Sequence, residues 1–305
     1  MKPRIVFLVG PTASGKTDIA VQVAKKINAE IISCDSMQVY QGMDILTSMP
    51  PRATRKKIPH HLIDFIPLGR EYNVSRFRRE AVKKIREISE KGKTPLFAGG
   101  TGLYMSVVIN GIFPGGGENP EVRQRLYRQS EKHGGDYLHS RLKKIDPEAA
   151  AKIHPHDTRR VVRALEVYHI TGKPISLLQK QRKGIADKYD VRIFCLNPER
   201  AELYERIDRR VDRMFSRGLV KEVKKILKNR LSKTAEKAIG IREVGEYLNG
   251  HISFAEAKNL MKRNTRLYAK RQLTWFRKDK RTRWIEVGEE SPQLAAERIV
   301  SFLSD

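Results

Sequence analysis

Arg4-Ile5-Val6-Phe7-Leu8-Val9, followed at once by Gly10-Pro11-Thr12-Ala13-Ser14-Gly15-Lys16-Thr17, is the stretch that decides the fold. The first six residues are a short apolar run, the pattern of a strand buried on both faces. The next eight fit G-x-x-x-x-G-K-[ST] at every position. The apolar spacing beyond them, to about Ile27, is that of an amphipathic helix. Strand, glycine loop and helix in this order make a phosphate cradle. The loop turns backbone N–H groups inward, Lys16 adds a point charge, and the helix N-terminus adds a partial positive charge. Thr17 offers a hydroxyl to a Mg²⁺ that bridges phosphates. The motif asks for a di- or triphosphate and does not itself select ATP.

Working outward, residues 30–34 (EIISC) read as a second buried strand, and 95–98 (PLFA) as a third. A helix is expected over 74–90, stopped by Gly92, and another from Leu103. The stretch 41–72 reads as irregular, with Pro50, Pro51, Pro59 and Pro67. This alternation predicts an α/β fold, a P-loop core with a parallel sheet flanked by helices. Composition changes at Pro114-Gly115-Gly116-Gly117, and residues 120–182 show helical periodicity with no convincing strand. Strands return at 190–196 and 283–287, with helices over 199–214, 218–229, 253–276 and from Pro292. The expected organisation is a core of residues 1–114 and 187–305, interrupted by an all-helical insertion at 115–186.

A phosphotransferase on such a core normally carries a second acid at the end of another strand. Here the 95–98 strand runs into Gly99-Gly100-Thr101-Gly102, and the acid instead follows the second strand, at Asp35-Ser36. In doubly wound sheets the site lies beyond the carboxyl ends of the strands. The cradle, Asp35 and Thr101 should therefore meet at one pocket. Asp35 has three readings on its residues alone: an indirect Mg²⁺ ligand, a general base, or the cap of the following turn. Thr101 suits a helix N-cap and a phosphate contact equally. His60-His61 stands in a proline-bounded loop without a nearby cysteine, poor spacing for a metal.

Lysine and arginine number 61 against 35 acids, for a formal net charge of +26. That excess fits a polyanionic partner such as nucleic acid. The longest apolar run, about Ile5 to Val9, is far too short for a membrane span, and no signal pattern precedes it. Cys34 and Cys195 do not make a disulfide framework, so a cytoplasmic protein is expected, with no membrane partner and as a monomer. Eleven basic residues lie between Lys258 and Arg283, with Asp279 the only acid. Lys258, Lys262, Arg266 and Lys270 recur at i, i+4 and read as a rail for a phosphodiester backbone. In the insertion, Asp157 can cap a helix that ends at Gly172, with Arg159, Arg160 and Arg163 in its first turns. Arginines there oppose the helix dipole, which favours a binding role. An ATP-dependent small-molecule kinase and a catalytically silent RNA-binding module remain as alternatives.

Six blocks in order, GPTASGKT, DSMQVY (35–40), PHHLID (59–64), GGTGLY (99–104), HPHDTRRVVRALE (154–166) and YAKRQLTWFRK (268–278), make the chain resemble tRNA dimethylallyltransferases, also called isopentenyl-tRNA transferases. The resemblance spans nearly the whole chain. It implies that Gly10 to Thr17 hold the diphosphate of dimethylallyl diphosphate, with Arg210 reaching it and Mg²⁺ on Thr17. It implies that Asp35 is the general base and that Thr101 contacts the substrates. It further implies that Asp35, Ser36, Met37 and Gln38 grip the target adenosine. Arg123 and the stretch Arg159, Arg160, Val161, Val162 and Arg163 would contact the tRNA anticodon stem-loop. The acceptor would be the exocyclic amine of the adenosine on the 3′ side of the anticodon. Two departures, His156 where the family often has Asn and Ile241 where it often has Tyr, lie outside this chemistry.

Overall fold

The computed structural model describes residues 2–288 and 290–304. The Cα packing divides them into two compact units, one of residues up to 109 and from 186 onward, the other of residues 110–185.

In the first unit, β1 (Arg4–Val9) leads through the glycine loop into α1 (Lys16–Lys26), then β2 (Ala29–Ser33). The stretch read as irregular holds a short helix, α2 (Arg52–Lys57), and a two-residue edge strand, β3 (His60–His61). Neither is long enough to show a hydrophobic period. Next come α3 (Val74–Glu90), β4 (Thr94–Gly99) and α4 (Gly102–Asn110). The sheet order is β3-β2-β4-β1-β5-β6, every pairing parallel, with β5 and β6 entering after the insertion. Parallel strands place the carboxyl ends of β1, β2 and β4 on one edge. That edge is where the loops that carry Lys16, Asp35 and Thr101 emerge.

Alternation along β1 explains its burial. Val6 and Leu8 face a cluster with Ile19, Val23, Ala295 and Ile299. Phe7 turns to the opposite face, where it stacks on Phe97 at 4.4 Å between ring centroids. Such a strand, fully buried on both sides, is why the run is uniformly apolar.

The second unit is helical, as the sequence periodicity predicts: α5 (Pro120–His133), α6 (Gly135–Ile145), α7 (Pro147–Lys152), α8 (Thr158–Thr171) and α9 (Ile175–Lys180). Asn119, Asp146 and Asp157 cap α5, α7 and α8 by accepting from Val122 N, Ala149 N and Arg160 N. Gly172 ends α8 in the left-handed conformation, φ 68°. Leu126, Leu138, Leu142, Val161, Val162 and Leu165 form its own core.

The chain then returns to the first unit through β5 (Asp190–Pro198), α10 (Arg200–Ser216), α11 (Leu219–Ile226), α12 (Ile241–Leu248), α13 (Phe254–Phe276), β6 (Thr282–Val287) and α14 (Pro292–Ser304). The helix α12 is absent from the sequence expectation, because eight residues carry too few apolar positions to set a period. A Ser253/Glu256 capping box starts α13.

Candidate active site

The glycine loop holds its shape with few side chains. Ser14 N donates to Pro11 O at 3.3 Å, and Lys16 Nζ folds back to donate to the same carbonyl at 2.9 Å. Ala13 sits at φ 64°, a strained value for a residue with a Cβ. Ser14 Oγ is buried with no hydrogen-bond partner. An orphaned, buried hydroxyl in a glycine loop suits an anionic oxygen.

Lys16 and Thr17 line a narrow cavity of about 70 Å³ that they share with Asp35, Gln38, Arg210, Tyr268 and Gln272. Its other walls include the apolar Ala20, Ile31, Ile63 and Ala98 and the polar Ser33, Thr47 and Ser48, with His60 beside Ile31 on the edge strand. A wider groove of about 590 Å³ shares Lys16, Thr17, Ser48, Pro50 and Arg210 with it and carries Arg206, Arg209 and Arg213 from α10 and Arg217 from its C-cap. The cavity is thus lined by two cations, one carboxylate, several polar side chains and a set of apolar residues.

The electrostatics follow from crowding. Burial beneath the loop, aided by the neighbouring Arg210 cation, pulls the Lys16 ammonium down from its ordinary value to about 8; Asp35 opposes the shift. Burial likewise lowers Arg210, which donates Nη2 to Thr47 O at 3.3 Å. Two cations and a single anion along the cavity leave positive charge that a diphosphate would neutralise.

Asp35 closes a tight turn. Its Oδ1 accepts from Met37 N at 2.9 Å and Gln38 N at 3.3 Å. Thr101 stands directly behind. Its Oγ1 accepts from Ser36 N at 3.0 Å, and its N–H donates to Cys34 O at 3.0 Å. Gln38 is pinned by Ser33 Oγ, which donates to its Oε1, and by its own donation to Thr47 O, both at 3.3 Å. Gly99 must be glycine here, since a Cβ would lie 2.2 Å from Cys34 O. The structure therefore gathers Lys16, Thr17, Asp35, Gln38 and Arg210 around one cavity, with Ser36 and Thr101 bonded behind it.

The insertion residues have different surroundings. Arg159 and Arg160 are exposed on the first turn of α8, with Arg160 3.3 Å from Asp157. Arg123 and Arg163 both bind the fully buried carboxylate of Glu166, at 2.9 and 2.7 Å. Those two arginines thus have a structural purpose that dipole arguments on α8 alone overlook. The side chains of Val161 and Val162 are 0% exposed and belong to the helical core.

The basic rail expected on α13 needs correction. Lys258 and Lys262 pair with Asp212 at 2.7 and 2.8 Å, and Arg266 pairs with Asp208 at 2.7 Å. The balancing acids come from α10, so three of the four rail residues knit two helices together. Sequence reasoning also missed Tyr268 and Gln272 as cavity residues. Their i, i+4 spacing on α13 was the available signal.

A parallel sheet whose strand ends carry a phosphate cradle beside one carboxylate is the architecture of a P-loop protein with its site at that edge. Comparison with known proteins narrows this class. The family model described as IPP transferase matches residues 38–279, and that described as isopentenyl transferase matches residues 3–59. The tRNA dimethylallyltransferase of Carboxydothermus hydrogenoformans is 46% identical over 99% of this chain and 97% of its own length. That of Geobacter sulfurreducens is 44% identical over 93% and 92%. Among solved structures, the tRNA isopentenylpyrophosphate transferase of Bacillus halodurans is 40% identical, covers 99% of this chain and 96% of its own, and superposes with a TM-score of 0.74. A eukaryotic dimethylallyltransferase acting on tRNA is 30% identical, covers 99% and 80%, and reaches a TM-score of 0.83. The chain belongs to the IPP transferase family and is a prenyl-transferring enzyme.

Proposed function

We propose that this enzyme transfers the dimethylallyl group of dimethylallyl diphosphate to the N6 amine of the adenosine 3′-adjacent to the tRNA anticodon, releasing diphosphate. It acts as a monomer in the cytoplasm, where its tRNA acceptor resides. Among the described residues no helix is long and apolar enough to cross a membrane. The observation that carries the reading is one cavity that joins Lys16 and Thr17 to Asp35 and to the apolar Ala20, Ile31, Ile63 and Ala98.

The adenine amine is a weak nucleophile, because its lone pair is delocalised into the ring. As its nitrogen bonds to the allylic carbon, the carbon–oxygen bond to diphosphate breaks. Asp35 takes the amine proton. Its Oδ1 already accepts two backbone amides, so Oδ2 is the oxygen offered to the proton. Such a base contributes about 10²–10⁴-fold. Lys16, Arg210 and the loop amides hold the leaving diphosphate, and the Ser14 hydroxyl gains the partner it lacks. The apolar Ala20, Ile31, Ile63 and Ala98 take the allyl tail. Ser36, Met37 and Gln38 border the adenine, which must leave its stack to enter. Exposed Arg159 and Arg160 hold the anticodon stem-loop.

Mg²⁺ fits the donors present: the Thr17 hydroxyl at the phosphate end offers a hard oxygen, and phosphate and water oxygens complete such a shell. When bound, the ion would neutralise charge on the departing diphosphate.

The test is incubation of the purified protein with Mg²⁺, dimethylallyl diphosphate and unmodified tRNA, followed by nucleoside mass analysis. One dimethylallyl group on the adenosine beside the anticodon is expected. A folded, tRNA-binding protein that yields no adduct would overturn the reading.

A further inference from the structure

Gln272 lies on α13, far in sequence from both active-site loops, and is 5% exposed. Its side-chain amide bridges those loops. Oε1 accepts from Thr12 N at 2.9 Å, and Nε2 donates to Gly100 O at 2.9 Å. The two partners also fix the orientation of the amide, since a backbone N–H can only donate and a carbonyl can only accept.

Each backbone partner belongs to a peptide whose other side holds a functional residue. A trans peptide is planar, with its C=O and N–H pointing in opposite directions. The Pro11–Thr12 peptide gives its N–H to Gln272 and its carbonyl to Lys16 Nζ, 2.9 Å away. The Gly100–Thr101 peptide gives its carbonyl to Gln272 and its N–H to Cys34 O, 3.0 Å away, one residue before Asp35. Three planar amides in series therefore run from the lysine of the phosphate cradle to the strand end that carries the carboxylate. The fit is close, because a Cβ on Gly100 would lie 2.0 Å from Gln272 Nε2.

We infer that Gln272 is a positioning residue that sets the spacing and orientation of the cradle relative to Asp35 and Thr101. It keeps the leaving group and the base in register across the transferred carbon. The inference rests on the prenyl-transfer reading above. Misplacing reacting groups by about 1 Å can cost on the order of 10²-fold in rate.

Two variants separate the bonds. Gln272→Met keeps the length of the side chain and removes both contacts. Gln272→Glu keeps an acceptor for Thr12 N and sets a carboxylate against Gly100 O. The readouts are kcat, the pH profile of kcat/KM for dimethylallyl diphosphate, tRNA affinity and the thermal unfolding midpoint. For Gln272→Met, kcat should fall about 10–100-fold, tRNA affinity should hold, and the alkaline limb of the profile should move to lower pH. That shift follows from a Pro11 carbonyl no longer held toward the Lys16 ammonium. For Gln272→Glu, kcat should fall while the alkaline limb does not move to lower pH, because the Thr12 acceptor is kept and the added carboxylate favours the Lys16 cation. Wild-type kcat in either folded variant would overturn the inference, as would a rate loss with identical pH profiles in the two. If Gln272→Met does not fold, Gln272→Glu decides. Absence of prenyl transfer by the unmodified protein would instead overturn the functional reading.

Discussion

At the scale of single residues, Asp35 holds its turn through Oδ1, and on the proposed mechanism Oδ2 is the base, so a conservative change can separate the two. Asn in its place retains an acceptor for Met37 N and Gln38 N but has no basic oxygen. Asp35→Asn should bind tRNA with nearly the wild-type Kd and lose turnover by about 10²–10⁴-fold. A matched loss of tRNA binding would make Asp35 a binding residue instead. Lys16 gives a pH signature. Its cation is fully present well below about 8 and is lost as pH rises through that value. Because kcat/KM reports the free enzyme, kcat/KM for the diphosphate donor should decline above about pH 8. Lys16→Arg, charged throughout, should lose that limb at whatever rate it retains. A wild-type profile flat to pH 9.5, roughly 1.5 units past the expected midpoint, would contradict the assignment.

At the scale of elements, two basic helices that look alike in sequence have different tasks. On α8, Arg159 and Arg160 are exposed and open to a polyanion. Arg159→Glu with Arg160→Glu should weaken tRNA binding and flatten its dependence on salt, because fewer counterions are released. Unchanged affinity in a salt titration would remove these residues from the interface. On α13, Lys262 is committed to Asp212 of α10 and its side chain is only 18% exposed. Lys262→Glu should therefore act on folding, with a loss of roughly 1–3 kcal/mol as attraction turns to repulsion. Urea unfolding measures it. A stable variant with weakened tRNA binding would restore the rail reading.

At the scale of the whole molecule, the sheet edge carries an acid-sensitive lock. Glu30 on β2 is nearly fully buried and meets Lys93 at 2.9 Å, His61 at 2.7 Å and Lys91 at 3.6 Å. Burial alone would raise its carboxyl, but the bonds to Lys93 and His61 outweigh burial and bring it from 4.5 to about 2. A depressed folded value means that the contribution is complete above about 4.5 and is lost as pH falls toward 2. Glu30→Gln should cost on the order of 2 kcal/mol at neutral pH and show a shallower decline as pH falls from about 4.5 toward 2. Parallel pH dependences in urea unfolding of the two proteins would count against it.

Much of this organisation is local, and so it is legible in the chain. The run Arg4–Val9 and the glycine loop fix a strand, a turn and a helix through contacts a few residues apart. From them the parallel sheet, and the meeting of Asp35 and Thr101 with the cradle at one edge, follow by handedness and strand direction. The helical insertion declares itself through periodicity and caps. Partners distant in sequence were decided only by tertiary packing. Nothing near Lys262 names Asp212, nothing near Arg123 names Glu166, and nothing near Gly100 names Gln272. Local propensity and pattern reach about one helical turn. Whether a charged or amide side chain faces solvent, a substrate or another helix depends on what the fold packs against it, and that is settled by burial of the core.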